Sequence, residues 1–286
     1  MLPMLAVALS ACVTVTPNHV ALADKARDAI TSTEIVEPIR QSEIYIYVPP
    51  SQIATAGGGG LLLALIDAGV DSARTSNAEA AVKGLRNSVV DFNFDETLTG
   101  DLRDSVSQVS WLHLNGARVI KEIEPASLDG AISQSKAGAV LLTWADYHLS
   151  NNGRELYVVL NAGLYANSDG LKPYQPVEGK SDVKSAPGNA LYRNSFMFTT
   201  TLVGATDKRV DNMALWSADG GARARAALKL GAAKVARLLA DDLQGKLAAP
   251  ADAKPNAEGQ AIADETGGTI QRHGDGTIVY TGRPVS

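Results

Sequence analysis

Cysteine is almost absent from this 286-residue sequence: Cys12 stands alone, so no disulfide can form within the chain and no Cys-based metal site can be assembled. Basic charge is also missing. The net charge of -5 and the pI near 5.4, with no cluster of Lys or Arg, exclude nucleic acid and an anionic lipid surface as electrostatic partners of the whole molecule. Long apolar runs are lacking as well. The most apolar stretch beyond the start, Leu61 to Val70, is about half of the roughly 20 residues that a spanning helix needs, and it contains Asp67. Histidines are few, and His19, His113, His148 and His273 have no second His or Cys at ligand spacing, so they are expected as packed or surface residues. No Gly-X-Ser-X-Gly elbow occurs, and the only thiol lies at the extreme start of the chain.

Two remaining patterns bear on chemistry. Gly57 to Gly60 precede a helical pattern and could cradle a phosphate through backbone N–H groups, but no Lys-Ser or Lys-Thr follows, so a hinge is the expected role. Asp91, Asp95 and Glu96 cluster around Phe92 to Phe94. Paired acids can run glycoside hydrolysis or hold a hard cation, yet an acid beside a helix N-terminus is favoured by the macrodipole alone, and helix entry is the expectation. Catalytic, metal and cofactor sites are therefore all expected to be absent. The alternative is an envelope glycan hydrolase in which Asp91, Asp95 or Glu96 converges with Asp146 in a cleft.

What the sequence does contain begins at its N-terminus. Leu2 to Ala11 are apolar or small and carry no charge, and they end in Leu9, Ser10, Ala11 and Cys12 before the chain turns polar. A run of this length suits a signal-peptide core and is too short to cross a bilayer. The Leu-Ser-Ala-Cys quartet resembles the lipobox of bacterial lipoproteins. That resemblance implies cleavage before Cys12, acylation of its thiol by a diacylglycerol and further acyl chains such as palmitate, and an anchor facing the periplasm. Two or more chains anchor stably where one does not. The pattern departs from the family at one place, since no Lys or Arg precedes Lys25. Val13 rather than Asp follows the cysteine, which in sorting bacteria implies the outer membrane.

Periodicity divides the rest. Residues 12–42 read as a tether with a short helix near Asp24 to Ile30, and residues 43–247 as the domain. Ile44 to Val48 form a β-branched and aromatic strand stopped by Pro49 and Pro50. Leu61 to Val90 follow as helix with a break near Thr75, with Ala78, Val82, Leu85 and Val89 on one face. A second helix places Leu98, Leu102, Val106 and Val109 together, with Asp95 or Thr97 as its cap. A strand over Ala117 to Ile123 and a short helix over Ser127 to Lys136 come next. Val140 to Leu149 and Glu155 to Tyr165 bracket a Ser-Asn-Asn-Gly turn and predict an antiparallel hairpin. A third strand covers Leu191 to Val203, and a long helix covers Asp219 to Leu243. Residues 248–267 read as a linker rich in Ala, Pro, Asp and Lys, and 268–286 as a tail hairpin around Asp275-Gly276.

This order predicts an α+β fold, a mixed and largely antiparallel sheet with helices packed mainly on one face. The element order over Glu43 to Leu243 resembles the small domain at the amino end of TolB and related envelope lipoproteins, and no site residue follows from that resemblance. The functional expectation is a membrane-anchored periplasmic lipoprotein with a non-catalytic binding or envelope-assembly role. Its expected partners are the bilayer, through acylated Cys12, and another envelope protein or glycan.

Overall fold

The computed structural model describes residues 19–39, 41–49, 61–121, 128–176, 189–247 and 261–286, with residues 61–71 described as backbone only. Cys12, Gly57 to Gly60 and most of the expected linker lie outside the described residues. The helices are α1 (Asp24–Ala29), α2 (Leu61–Ser88), α3 (Phe94–Val106), α4 (Leu128–Ser133) and α5 (Arg209–Leu243). The strands are β1 (Thr33–Ile39), β2 (Tyr45–Ile46), β3 (Leu114–Lys121), β4 (Ala139–Leu149), β5 (Glu155–Ala166), β6 (Tyr192–Thr201), β7 (Ile262–Ala263), β8 (Thr269–Arg272) and β9 (Ile278–Thr281). They form one sheet in the order β3-β1-β4-β5-β6-β9-β8-β7, with β2 also paired to β4. The β4–β5 and β5–β6 pairs are antiparallel, whereas β1 runs parallel to both β3 and β4, and β6 parallel to β9. The chain is thus α+β with a mixed sheet.

The hairpin β4–β5 is the spine of this sheet. Alternation along β4 sends Leu141, Ala145, Tyr147 and Leu149 toward one face and Leu142, Trp144, Asp146 and His148 toward the other. The first face carries the larger helices. Ala78, Val82 and Leu85 of α2, Leu98, Leu102 and Val106 of α3, and Leu228, Val235 and Leu239 of α5 are all buried against it. α5 lies close to the sheet because Gly231 faces Val158 and Phe198: a Cβ there would stand 2.6 Å from the Val158 Cγ2 atom. On the opposite face, α4 covers Val36, Val140, Leu142 and Tyr165. No other helix among the described residues joins it there, which leaves that face open over the β2–β4–β5–β6 half of the sheet.

Several expectations change in the structure. The tether does not extend to residue 42, because β1 occupies Thr33–Ile39 and buries Ile35 and Val36 completely. Its polar look comes from Glu34 and Glu37, and Pro38 adds a residue that sheets tolerate poorly. Pro38 lies past Val36, the last β1 residue paired with β4, where a proline is tolerated. The strand over Ile44 to Val48 shrinks to the two residues of β2, and the gap between β1 and β2 along β4 is bridged by a side chain. Gln41 donates to the Tyr147 carbonyl at 2.6 Å and accepts from the Tyr147 N–H at 3.0 Å, replacing one rung of the ladder.

α2 runs unbroken through Thr75. The cap of α3 is Asn93, which accepts from the Glu96 N–H at 3.1 Å and donates back to the Glu96 carboxylate at 3.2 Å, a reciprocal arrangement that leaves Asp95 and Thr97 inside the helix. α5 begins at Arg209, ahead of the expected start at Asp219. Asp219, Gly220 and Gly221 all have positive φ and break it, so the Gly-Gly pair joins two helical segments. The tail hairpin belongs to the main sheet: β9 pairs with β6, and Ile278 and Tyr280 are buried in the core.

Candidate functional site

The open sheet face carries a concentrated group of polar and aromatic side chains at its β2–β4–β5 corner. Strand register builds it. Tyr45 of β2 is opposite His148 of β4, and His148 is opposite Tyr157 of β5, so three rings fall in one row across three strands. The turn behind them is fixed from below. Gly153, at φ 71°, donates to the Ser150 carbonyl at 2.8 Å, and its own carbonyl accepts from the indole N–H of buried Trp216 at 2.8 Å. Asn212 donates to the Asn152 carbonyl at 2.8 Å.

The rings stack on one another. Tyr45 and His148 are 5.4 Å apart between centroids with 27° between planes, and His148 and Tyr157 are 5.2 Å apart with 18°. Tyr47, half exposed, tilts against His148 at 5.7 Å. Offset stacking at these distances uses the ring faces on each other and turns edges and polar atoms outward.

Two carboxylates complete the group. The Tyr45 hydroxyl donates to both oxygens of Asp146 at 2.9 and 3.0 Å, the His148 Nδ1 lies 3.3 Å from the same carboxylate, and the Tyr157 hydroxyl donates to Glu155 at 2.8 Å. Burial alone would raise Asp146, but hydrogen bonds from His148 and Tyr45 more than offset it and hold the carboxyl below its usual range. Burial and Asp146 push the Tyr45 phenol far up, and burial and the hydrogen bond to Glu155 push Tyr157 up to about 12. Both phenols therefore stay protonated near neutrality and act as hydrogen-bonding groups rather than as bases. Farther along the face, Thr199 lies opposite Tyr157 and Met197 opposite Val159, extending a surface of mixed polar and apolar character.

The acids singled out in the sequence do not gather. Asp91 is ion-paired with Arg225, which holds its carboxyl low, at the surface. Glu96 belongs to the α3 cap. Asp95 is half-buried on the first turn of α3, and burial raises it against the opposing charge of Lys121. Asp146 points from the other side of the sheet. Asp95 does have a carboxylate neighbour, one that sequence reasoning misses. Glu37 of β1 is 2% exposed and accepts from the Thr99 hydroxyl at 2.5 Å, while burial, with a contribution from Asp95, pushes it up to about 7. It is hidden in the sequence because β1 reads there as tether. The run Ile35-Val36 followed by Pro38-Ile39 is the signal that could have found it.

The other histidines hold structural places. His19 meets Tyr192 edge-on at 6.5 Å, and burial lowers its pKa against the raising effect of Asp242. His113, at φ 48°, closes a short 3-10 turn before β3, and its carbonyl accepts from Thr33 at 3.1 Å. The His273 N–H donates to the Thr277 carbonyl in the tail hairpin. Among the described residues no three of His, Cys, Asp and Glu come together as a metal ion would need, and no helix is long and apolar enough to cross a membrane.

A second polar group ties the tail hairpin to α5. Asp242 accepts from Tyr192 at 2.6 Å, from Asn194 at 2.9 Å and from Arg272, with both members of the Arg272–Asp242 pair buried. Lys234 donates to Asp264 and Thr266 at 2.9 Å each and lies 4.5 Å over the Tyr280 ring. This group is not visible in the sequence because its members are scattered from Tyr192 to Tyr280.

No protein family matches the sequence, and no curated protein matches it. Among solved structures the chain is similar to the PelC dodecamer from Paraburkholderia phytofirmans, with a TM-score of 0.27 and 12% identity over 77% of this chain and 94% of that one. A superposition of that depth says nothing about what this chain binds or does.

Proposed function

We propose that this chain is an envelope lipoprotein, anchored through acylated Cys12 and carrying a non-catalytic domain that binds another envelope component. The observation that carries the reading is the Leu9-Ser10-Ala11-Cys12 quartet behind an uncharged apolar run, in a chain with no second cysteine. Val13 after the cysteine favours the outer membrane, with the domain facing the periplasm. Asp91, Asp95 and Glu96 do not converge with Asp146, so the hydrolase alternative loses the carboxyl pairing it was built on. The Tyr45–His148–Tyr157 row supports a docking place. It is half-buried, presents aromatic rings with hydrogen-bonding groups, and sits on strands.

The anchor is tested by Cys12→Ser, which should abolish labelling by a clickable fatty acid and stop maturation by the lipoprotein signal peptidase. Unchanged labelling would refute the anchor. The docking place is tested by affinity capture from crosslinked envelopes. Tyr157→Ala should lose the component captured by the parent while melting at nearly the same temperature. Equal capture would move the binding surface elsewhere.

A further inference from the structure

The domain takes hold of the chain as early as His19. Val20 exchanges backbone hydrogen bonds with Arg193 at 2.8 and 3.0 Å, just inside the start of β6, and His19 packs beside Tyr192 and against Gly276, where a Cβ would stand 2.2 Å from its own. From there the chain crosses one end of the sheet through α1 to Ser32, whose carbonyl accepts from the Ala139 N–H at 3.0 Å and whose hydroxyl accepts from the Gly138 N–H at 2.9 Å. The chain is thus tied down from His19 to β1. Strand direction separates this end from the opposite one, because β1, β4 and β6 start here and β5 finishes here. The Tyr45–His148–Tyr157 row lies toward the other end. Thr199, opposite Tyr157, is six residues beyond Arg193 on β6, about 20 Å along the strand.

We infer that the Val20 end of the sheet is the end held at the bilayer, and that the ring row is carried about 20 Å farther out, facing water, so that lipid is not what it docks. The inference rests on the acylation of Cys12 proposed above. Seven residues take the chain from Cys12 to His19, and that length spans at most about 25 Å even when fully extended. The Val20 end therefore stays near the membrane. Pressing the ring row onto the bilayer with the sheet inverted would make the tether run back along nearly its whole reach, at the cost of most of its conformational freedom. Lying on the open face is opposed by charge. Asp146 and Glu155 stand beside the rings on that face, and the Asp146 side chain, 46% exposed, would lose its water against a surface of lipid phosphates. The row takes its partner from the aqueous side.

The test uses the full acylated chain in phosphatidylcholine vesicles that carry an acceptor dye on a lipid headgroup. Acylation occupies the Cys12 thiol, so Lys25→Cys and Thr201→Cys each supply one thiol for a donor dye, and both positions are exposed. Lys25 lies in α1 at the Val20 end, whereas Thr201 ends β6 eight residues beyond Arg193, about 26 Å along the strand. Energy transfer from Lys25→Cys should exceed that from Thr201→Cys several-fold. Equal transfer, or stronger transfer from Thr201→Cys, in a chain that the clickable fatty acid does label would overturn this inference and leave the anchor standing. A parent chain that takes up no fatty acid would overturn both.

Discussion

Glu37 offers the sharpest test of the packing between β1 and α3. Its carboxyl is 2% exposed, hydrogen-bonded to Thr99 at 2.5 Å, and pushed from an ordinary value near 4.5 up to about 7, chiefly by burial. Between those two pH values the folded chain holds a proton that the unfolded chain has released. Stability from this group is therefore complete below about pH 4.5 and is lost as pH rises through about 7. Holding a proton against the solvent costs about 1.4 kcal/mol for each unit of pH, so the loss across this window is about 3 kcal/mol. Glu37→Gln keeps the shape and an oxygen that can accept from Thr99, but it never ionises. The variant should match the parent near pH 4.5 and exceed it by up to about 3 kcal/mol at pH 8. Urea unfolding followed by circular dichroism from pH 4.5 to 8 measures both curves, with the parent falling more steeply than the variant. Parallel curves, or a Glu37→Gln chain weaker than the parent at pH 8, would show that Glu37 is not a neutral, buried acid in the folded chain.

Other consequences follow from the core and the tail. Leu239 is fully buried under the sheet, so Leu239→Ala should cost about 2 to 5 kcal/mol and lower the melting temperature markedly. Gly231→Ala places a methyl group 2.6 Å from Val158 and 2.9 Å from Phe198, and it should cost about 1 to 3 kcal/mol in the same assay despite the better helix propensity of alanine. Arg272→Ala strands a buried Asp242 and should cost about 3 to 5 kcal/mol, with the tail hairpin losing amide-exchange protection first. An exchange profile in which that hairpin stays as protected as β5 would place the tail's stability elsewhere.

The elements legible in the sequence are those with a strong local signal. The β4–β5 hairpin announces itself through a Ser-Asn-Asn-Gly turn between apolar strands, α3 and the second segment of α5 through apolar residues at helical spacing, and β8–β9 through Asp275-Gly276. The α+β class follows from their order. The proposed lipobox is likewise a linear pattern, so that reading rests on the sequence alone. What sequence could not supply is pairing between distant strands. β1 reads as polar tether because Glu34 and Glu37 interrupt it, and only its place between β3 and β4 makes it a core strand. β2 keeps two residues because the Gln41 side chain, rather than further backbone, fills the gap along β4. The candidate site shows the same division. Tyr45, Asp146, His148 and Tyr157 are ordinary residues in sequence, and His148 is expected there only as a packed or surface histidine. They become one group because the cross-strand register sets β2, β4 and β5 side by side with the same parity, and register is a property of the assembled sheet.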